Sequence, residues 1–146
     1  MTLYVSFDFD GTLARPDVQE FAKELLDMGV QVRVTTTRYD EMHCHKYGYR
    51  WPPVLSDLWE VVDRLGIPRH HVHFTNMQWK SKYLLGTPFI FHLDDNEEEF
   101  HHARYDSVKV PMIQVNGGGW KKKCLKLIEK HVNKQTDEST RPEVAS

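Results

Sequence analysis

The chain has 146 residues, of which 40% are hydrophobic and 27% are charged, and its formal net charge is −2. This length and balance predict one globular domain, and the small net charge excludes an overall attraction to nucleic acid or membranes. No apolar run approaches the roughly 20 residues of a membrane span, and the N-terminus lacks a signal-segment pattern. Cys44 and Cys124 are far apart without framework spacing, so we expect reduced thiols in a cytoplasmic protein that has no membrane partner.

The first part of the chain reads as strand, helix and strand. An apolar run at residues 3–9 predicts the first strand, and helical spacing of apolar residues follows from Pro16 up to Gly29. Alternating valines after Gly29 predict a second strand that ends in Thr-Thr-Thr-Arg at residues 35–38. This βαβ unit implies a parallel sheet.

The remaining elements continue the alternation after an irregular aromatic segment at residues 39–53. The elements predicted next are a helix at 55–65, a strand at 71–74, a short helix at 78–85, a buried strand at 88–93, a helix at 97–104, a strand at 108–115 and a closing helix at 120–132. Five strands and intervening helices predict an α/β fold, a doubly wound, Rossmann-like three-layer sandwich with a mainly parallel sheet. Residues 1–132 form the predicted domain, and the polar residues 133–146 form a flexible tail.

Polar side chains stand at the predicted ends of three strands. Asp8 and Asp10 close the first strand, where an extended backbone points side chains two residues apart to the same side. Thr36 closes the second strand, and the pair Asp94 and Asp95 follows a later buried strand. In doubly wound sheets the ligand crevice lies at the carboxyl ends of the strands. These positions therefore predict a single site.

The residue types at these strand ends suit a divalent cation and a phosphoryl group. Mg²⁺ prefers oxygen ligands and commonly bridges to phosphate, and Asp8, Asp94 and the backbone carbonyl of Asp10 offer such oxygens. A carboxylate can also attack phosphorus and form an aspartyl-phosphate. Asp10 is the candidate to protonate the leaving oxygen and then take a proton from water. Thr36 and Lys80 are the candidates to bind phosphate.

Four motifs follow one another along roughly residues 3–115. They are DFDGTL at residues 8–13, VRVTTTR at residues 32–38, a lysine at position 80 or 82, and HLDDN at residues 92–96. In this order they resemble the motifs of the haloacid dehalogenase (HAD) superfamily of phosphotransferases. The resemblance implies Mg²⁺ as the cofactor and a role for each matching position: Asp8 as nucleophile, Asp10 as general acid and base, Thr36 and the lysine as phosphate binders, and Asp8, Asp10, Asp94 and Asp95 at the metal, with Asp95 acting through water or as an orienting residue.

Some assignments stay open at this stage. Lys80 fits the third motif better than Lys82, because Leu84 follows it one helical turn later. Arg38 contacts phosphate or forms a structural ion pair. The aromatic residues within 39–53 form a stacking lid or a surface loop. Capping of the helix after the fourth motif is an alternative role for its polar residues, but Asn96 can fill it and leave the aspartates free.

The intervals between the motifs are too short for the cap domain that HAD proteins often carry, so the resemblance implies a capless phosphatase with an open site. Such a site suits a large substrate or a nucleotide, and we expect a phosphorylated partner: a nucleotide, a polynucleotide end, a sugar phosphate or a phosphoprotein. A homo-oligomer in which a neighbouring subunit closes the site is the other expectation. The alternative functions are a phosphotransferase or phosphomutase, and a non-catalytic phosphate-binding or signalling module.

Overall fold

The computed structural model describes residues 2–46, 48 and 54–140, without the side chains of residues 44, 45 and 135–140. The five strands are β1 (Tyr4–Phe7), β2 (Gln31–Thr36), β3 (Val72–Phe74), β4 (His92–Asp94) and β5 (Met112–Gln114). The helices are α1 (Pro16–Asp27), α2 (Glu41–Lys46), α3 (Ser56–Leu65), α4 (Ser81–Leu84), α5 (Glu97–Tyr105) and α6 (Trp120–Thr140). A wide turn at Phe9–Leu13 and a 3₁₀ turn at Arg69–His71 complete the described elements.

All five strands are parallel and lie in the order β3-β2-β1-β4-β5. The chain builds outward from β1 through β2 to β3, and then crosses to the other side of β1 to add β4 and β5. The sequence-based prediction of a doubly wound α/β sandwich is therefore confirmed. The direction of winding changes between β1 and β4, and such a switch point leaves a crevice at the strands' carboxyl ends.

Helices cover both faces of the sheet. On one face, the main core joins side chains of β1, β2 and β4 to helices α1, α3 and α6, with Phe7 and Trp120 both packed on Phe21. On the other face, a smaller cluster is centred on Leu84 and Phe89 near helix α4. Because side chains alternate along a strand, β1 contributes to both clusters. Both faces of the sheet are thereby covered beneath its carboxyl edge.

Several strands are shorter than the sequence predicts. The first ends at Phe7 rather than residue 9, because the wide turn begins there. The strand expected at residues 88–93 is β4, and the one expected at residues 108–115 is β5. The apolar run before β4 is buried, but Pro88 and Pro111 lack the N–H group that a sheet ladder needs. The burial of the run before β4 was predicted, and the shorter extent of both strands was not.

Two other predictions need correction. The segment at residues 39–53 is not wholly irregular, since it contains α2; its residues 47 and 49–53 lie outside the described part of the chain. The closing helix does not end at residue 132 but continues through Thr140, and residues 141–146 of the predicted tail lie outside the described part of the chain. No glycine or proline interrupts residues 133–140. Within the ranges that the structure describes, no helix has the length and apolar character needed to cross a membrane.

Candidate functional site

The candidate site lies at the switch point between β1 and β4. Asp8 directly follows β1, and Asp94 is the last residue of β4. The backbone N–H of Asp8 donates to the Leu93 carbonyl at 2.8 Å, which keeps the two strand ends together. Both aspartates are almost fully buried. The parallel pairing of two strands far apart in sequence thus brings the predicted acids side by side.

The turn after Asp8 depends on Gly11. Asp10 is still extended, but Gly11 adopts φ +74° and reverses the chain, a conformation that favours glycine. The backbone N–H of Leu13 then donates to the Asp8 carbonyl at 3.0 Å. The turn also returns the hydroxyl of Thr12 to Asp8, where it donates to Oδ2 at 3.1 Å. The motif following β1 therefore orients the Asp8 carboxylate through local contacts.

Lys80 joins the two strand-end aspartates. Its Nζ donates to Asp8 Oδ1 at 2.7 Å and to Asp94 Oδ2 at 2.6 Å, and the Lys80 side chain is only 2% exposed. Lys80 immediately precedes α4, where its backbone N–H donates to the buried carboxylate of Glu99 at 3.0 Å. Lys82, the other candidate for this position, is exposed. The geometry therefore favours Lys80 as the lysine of the site.

Burial and charge shift the pKa values of this group in different directions. Burial, together with the charge of Asp94, raises the pKa of Asp8 well above its usual value, against the opposing effect of Lys80. Burial also disfavours ionised Asp94, but hydrogen bonds from His92 and Lys80 outweigh it and hold the Asp94 pKa below its usual value. Burial lowers the Lys80 pKa, but the two aspartates more than compensate and raise it. The site thus holds an ammonium group beside a carboxylate that remains ionised.

Asp95 adds a third carboxylate to this cluster. Asp8, Asp94 and Asp95 each offer an oxygen, and these oxygens lie within 4.8 Å of one another. Asp95 also contributes to the raised pKa of Asp8. The backbone N–H of Asp95 donates to Asp94 Oδ1 at 2.8 Å, which holds Asp95 beside the other two acids. Three carboxylates against the single ammonium of Lys80 leave an excess of negative charge.

This donor set fits a hard divalent cation. All its donors are carboxylate oxygens, the ligands that Mg²⁺ and Ca²⁺ prefer, and the three oxygens lie close enough together to share one cation. A cation there would offset their repulsion and favour ionised Asp8. Asn96 leaves the acids available, because its own side chain caps α5 by accepting from the Glu98 backbone N–H at 3.0 Å, as predicted.

Asp10 is held apart from the acidic cluster. Arg38 Nε and Nη2 donate to its two oxygens at 2.9 and 2.7 Å. The same guanidinium donates to both oxygens of Asp57 and to the carbonyl of Val54, and it lies 4.9 Å from the centre of the Phe9 ring. These contacts engage every N–H group of Arg38. Of the two roles considered for Arg38, the structure gives it the ion pair.

Thr36 ends β2 beside the site. It is fully buried, and its Oγ1 accepts a hydrogen bond from the Arg38 backbone N–H at 3.2 Å. Its carbonyl accepts from the backbone N–H of Thr75 at 2.8 Å, which joins β2 to the segment following β3. The structure thus places Thr36 at the predicted edge of the sheet, on the strand next to β1.

Two buried groups that support the site were not predicted from the sequence. His92 falls in the buried strand predicted at 88–93, but its Nε2 lies 2.7 Å from Asp94 Oδ2 and its Nδ1 lies 2.8 Å from Ser6 Oγ. Glu99 falls in the helix predicted at 97–104, and its carboxylate accepts a hydrogen bond from the Lys80 backbone N–H. The available signal was a histidine two residues before an aspartate in a strand, which places both on one face of the sheet.

Comparisons with known proteins leave the chain without an assigned family. It matches no protein-family model, no curated protein and no solved structure.

Proposed function

We propose that this protein is a magnesium-dependent phosphatase that hydrolyses a phosphomonoester through an aspartyl-phosphate on Asp8. The observation that carries the proposal is the position of Lys80 Nζ, 2.7 Å from Asp8 and 2.6 Å from Asp94 at the switch point of the sheet. A buried ammonium beside a prospective nucleophile provides the positive charge that stabilises a phosphoryl group during transfer. The four motifs that resemble the HAD superfamily support the same reaction.

The acidic cluster supplies the metal-binding part of this proposal. Asp8, Asp94 and Asp95 are the residues that would hold Mg²⁺, together with the backbone carbonyl of Asp10. When bound, Mg²⁺ supplies positive charge to the phosphoryl oxygens and favours ionised Asp8. The Asp10 side chain does not join this set, because both its oxygens accept from Arg38.

The reaction divides into two steps. In the first, an Asp8 carboxylate oxygen forms a bond to phosphorus while the bond to the leaving oxygen breaks, and Asp10 in its protonated form, with its other oxygen still accepting from Arg38, donates its proton to that leaving oxygen. In the second, water attacks phosphorus, Asp10 takes a proton from the water, and the bond to Asp8 breaks. Inorganic phosphate leaves and ionised Asp8 is restored. Lys80 and Thr36 bind phosphoryl oxygens throughout.

An open entrance extends the proposal to the substrate. The Asp10 side chain is 57% exposed although it stands beside the buried Asp8, so a large leaving group has access to it. A polynucleotide end, a phosphoprotein, a nucleotide and a sugar phosphate therefore belong in the substrate panel. We also propose that a second copy of the chain closes the site. A cytoplasmic location is a further part of the proposal.

A phosphatase screen with and without Mg²⁺ tests this function. We expect Mg²⁺-dependent release of phosphate from at least one member of a panel of phosphomonoesters, phosphopeptides and 3′- or 5′-phosphorylated oligonucleotides. Asp8→Asn should abolish turnover, whereas Asp27→Asn, an exposed acid paired with Lys23, should not. Full activity of Asp8→Asn, or activity unaffected by EDTA, would refute the mechanism.

The same screen separates the alternatives. A phosphotransferase or phosphomutase would pass the phosphoryl group to an added alcohol or sugar in preference to water, which product analysis detects. A binding module would retain phosphate or a phosphorylated ligand without turnover. The proposed phosphatase should transfer the phosphoryl group to water and release one phosphate for each substrate molecule consumed.

A further inference from the structure

A line of buried polar side chains runs beneath the acidic cluster and plays no part in the reaction described above. It crosses three adjacent strands, from Thr35 in β2 through Ser6 in β1 to His92 in β4, and all three residues are fully buried. Thr35 Oγ1 lies 2.8 Å from Ser6 Oγ, and Ser6 Oγ lies 2.8 Å from His92 Nδ1. Central positions of a parallel sheet usually hold aliphatic side chains. Three polar side chains side by side on adjacent strands therefore need a specific explanation.

The hydrogen bonds along this line run in one direction, and the last of them is donated to the acidic cluster at Asp94. Asp94 is ionised and can only accept, so His92 Nε2 carries the hydrogen and donates to Asp94 Oδ2 at 2.7 Å. In the neutral ring Nδ1 then accepts from the Ser6 hydroxyl, and Ser6 in turn accepts from the Thr35 hydroxyl. If the ring is protonated, Nε2 still donates to Asp94. The contact with Asp94 therefore does not depend on the charge of the histidine.

His92 differs from the other donors to Asp94. Oδ1 accepts from the backbone N–H groups of Asp95 and Asn96 at 2.8 and 3.1 Å, and Oδ2 accepts from Lys80 as well as from His92. The backbone donors form part of the turn after β4, and Lys80 also donates to Asp8. Among the donors to Asp94 in the described part of the chain, His92 is the one that reaches the carboxylate from inside a strand, through a ring that Ser6 and Thr35 hold in place.

We propose that His92, oriented by Ser6 and Thr35, is a positioning residue that sets the Asp94 carboxylate for cation binding. The inference rests on the proposed function only in taking Mg²⁺ as the cation. A buried donor of this kind fixes the plane of the carboxylate before the cation arrives. Partners of metal ligands typically contribute 10- to 100-fold to metal affinity.

The experiment measures Mg²⁺ affinity of the folded, full-length protein by isothermal titration calorimetry. His92→Leu removes the donor, and we expect Mg²⁺ affinity to fall by about 10- to 100-fold. His92→Gln offers an amide N–H near the position of Nε2, and we expect it to recover most of the loss. Ser6→Ala frees Nδ1 and lets the ring change tautomer, so we expect an intermediate loss.

The control variant is Val32→Ala, which alters the main core without a polar contact to Asp94. Val32→Ala should lower the melting temperature and leave Mg²⁺ affinity unchanged. If His92 had a purely structural role, His92→Leu would behave in the same way. Unchanged Mg²⁺ affinity in folded His92→Leu overturns the inference. If that variant does not fold, unchanged affinity in Ser6→Ala overturns it.

The outcome is distinguishable from failure of the proposed function. A wild-type protein that binds Mg²⁺ but hydrolyses no phosphomonoester would contradict the proposed phosphatase function. The positioning role of His92 would still be tested by the Mg²⁺ affinities of the variants. A wild-type protein that binds no Mg²⁺ would contradict both. If the wild type binds Mg²⁺, loss of affinity in His92→Leu with recovery in His92→Gln supports the positioning role whether or not a phosphomonoester is hydrolysed.

Discussion

The carboxylate of Asp95 lies directly against the backbone of Gly11. A Cβ atom at position 11 would stand 2.1 Å from Asp95 Oδ2, well inside any normal contact, and Gly11 itself has φ +74°. The glycine after Asp10 therefore serves two purposes. It allows the turn after β1, and it leaves room for a carboxylate from the segment after β4.

This contact predicts the effect of Gly11→Ala. The positive φ alone should cost about 1–2 kcal/mol of unfolding free energy, and displacement of Asp95 should also weaken Mg²⁺ binding. Gly29→Ala is a matched control, because Gly29 has φ +85° and a Cβ atom there would meet nothing within 4 Å. Urea unfolding and Mg²⁺ titration of both variants separate the two effects. Equal Mg²⁺ affinity in both variants would contradict a role for the Gly11–Asp95 contact.

Replacement of Lys80 should destabilise the fold as well as stop catalysis. Lys80→Met leaves the buried carboxylates of Asp8 and Asp94 without their cation, at a cost of about 3–5 kcal/mol at neutral pH. Added Mg²⁺ should restore part of this loss, because it supplies positive charge to the same oxygens. Lys82→Met, at an exposed position, should change neither unfolding nor turnover. Indistinguishable unfolding of the two variants would contradict the buried ion pair.

The paired hydrogen bonds from Arg38 to the two oxygens of Asp10 predict a selective effect on proton transfer. In the proposed mechanism Asp10→Asn should lower kcat by about 10²- to 10⁴-fold and leave Mg²⁺ affinity nearly unchanged. Arg38→Lys cannot hold both Asp10 oxygens, so it should lower kcat by a smaller factor. Arg69→Lys breaks a similar fork to Asp63 elsewhere on the surface and serves as control. A wild-type kcat for Arg38→Lys would show that Asp10 does not need this contact.

The ion pair of Asp57 with Arg38 predicts a pH-dependent contribution to stability. The hydrogen bond and charge of Arg38 lower the pKa of Asp57 from 3.8 to about 2. A pKa that is lower in the folded state adds stability above about pH 4, and that stability is lost as pH falls towards 2. Because Asp57 is largely exposed, the contribution should stay below about 1 kcal/mol.

The measurement compares wild type with Asp57→Asn by urea unfolding from pH 6 down to pH 2.5. The difference in unfolding free energy should be largest at the upper end and shrink as the pH falls. Asp27→Asn gives the baseline for an exposed acid. A difference that stays constant across this range would contradict the assigned pKa shift.

The thiol of Cys124 should be unreactive in the folded protein. It is fully buried within α6, and burial raises its pKa to about 12, so almost no thiolate forms near neutral pH. In a Cys44→Ser background, we expect thiol reagents to label Cys124 only after unfolding. Rapid labelling under native conditions would show that α6 opens readily.

The layered fold and the position of the acids at one edge of the sheet follow from local sequence patterns. The periodicity of apolar residues is a local property, and it identified the strands and helices. Their alternation along the chain then predicted a parallel sheet. The carboxyl ends of parallel strands meet at one edge, which predicted that Asp8, Asp94 and Asp95 would come together. The preference for Lys80 over Lys82 came from helical spacing alone and agrees with the geometry. Strand ends were less predictable, because ladder pairing depends on neighbours that the local pattern does not show.

The partners that hold these groups come from distant parts of the chain, which local patterns do not identify. Asp8 and Asp10 are neighbours in sequence, yet one meets Lys80 from 72 residues away and the other meets Arg38 from 28 residues away. His92 reads as part of an apolar strand until the sheet places it beside Ser6 at a separation of 86 residues. Local sequence restricts the backbone, but the partner of a buried polar group depends on which distant strands become adjacent. The sequence therefore located the acidic edge, and packing assigned each carboxylate its partner.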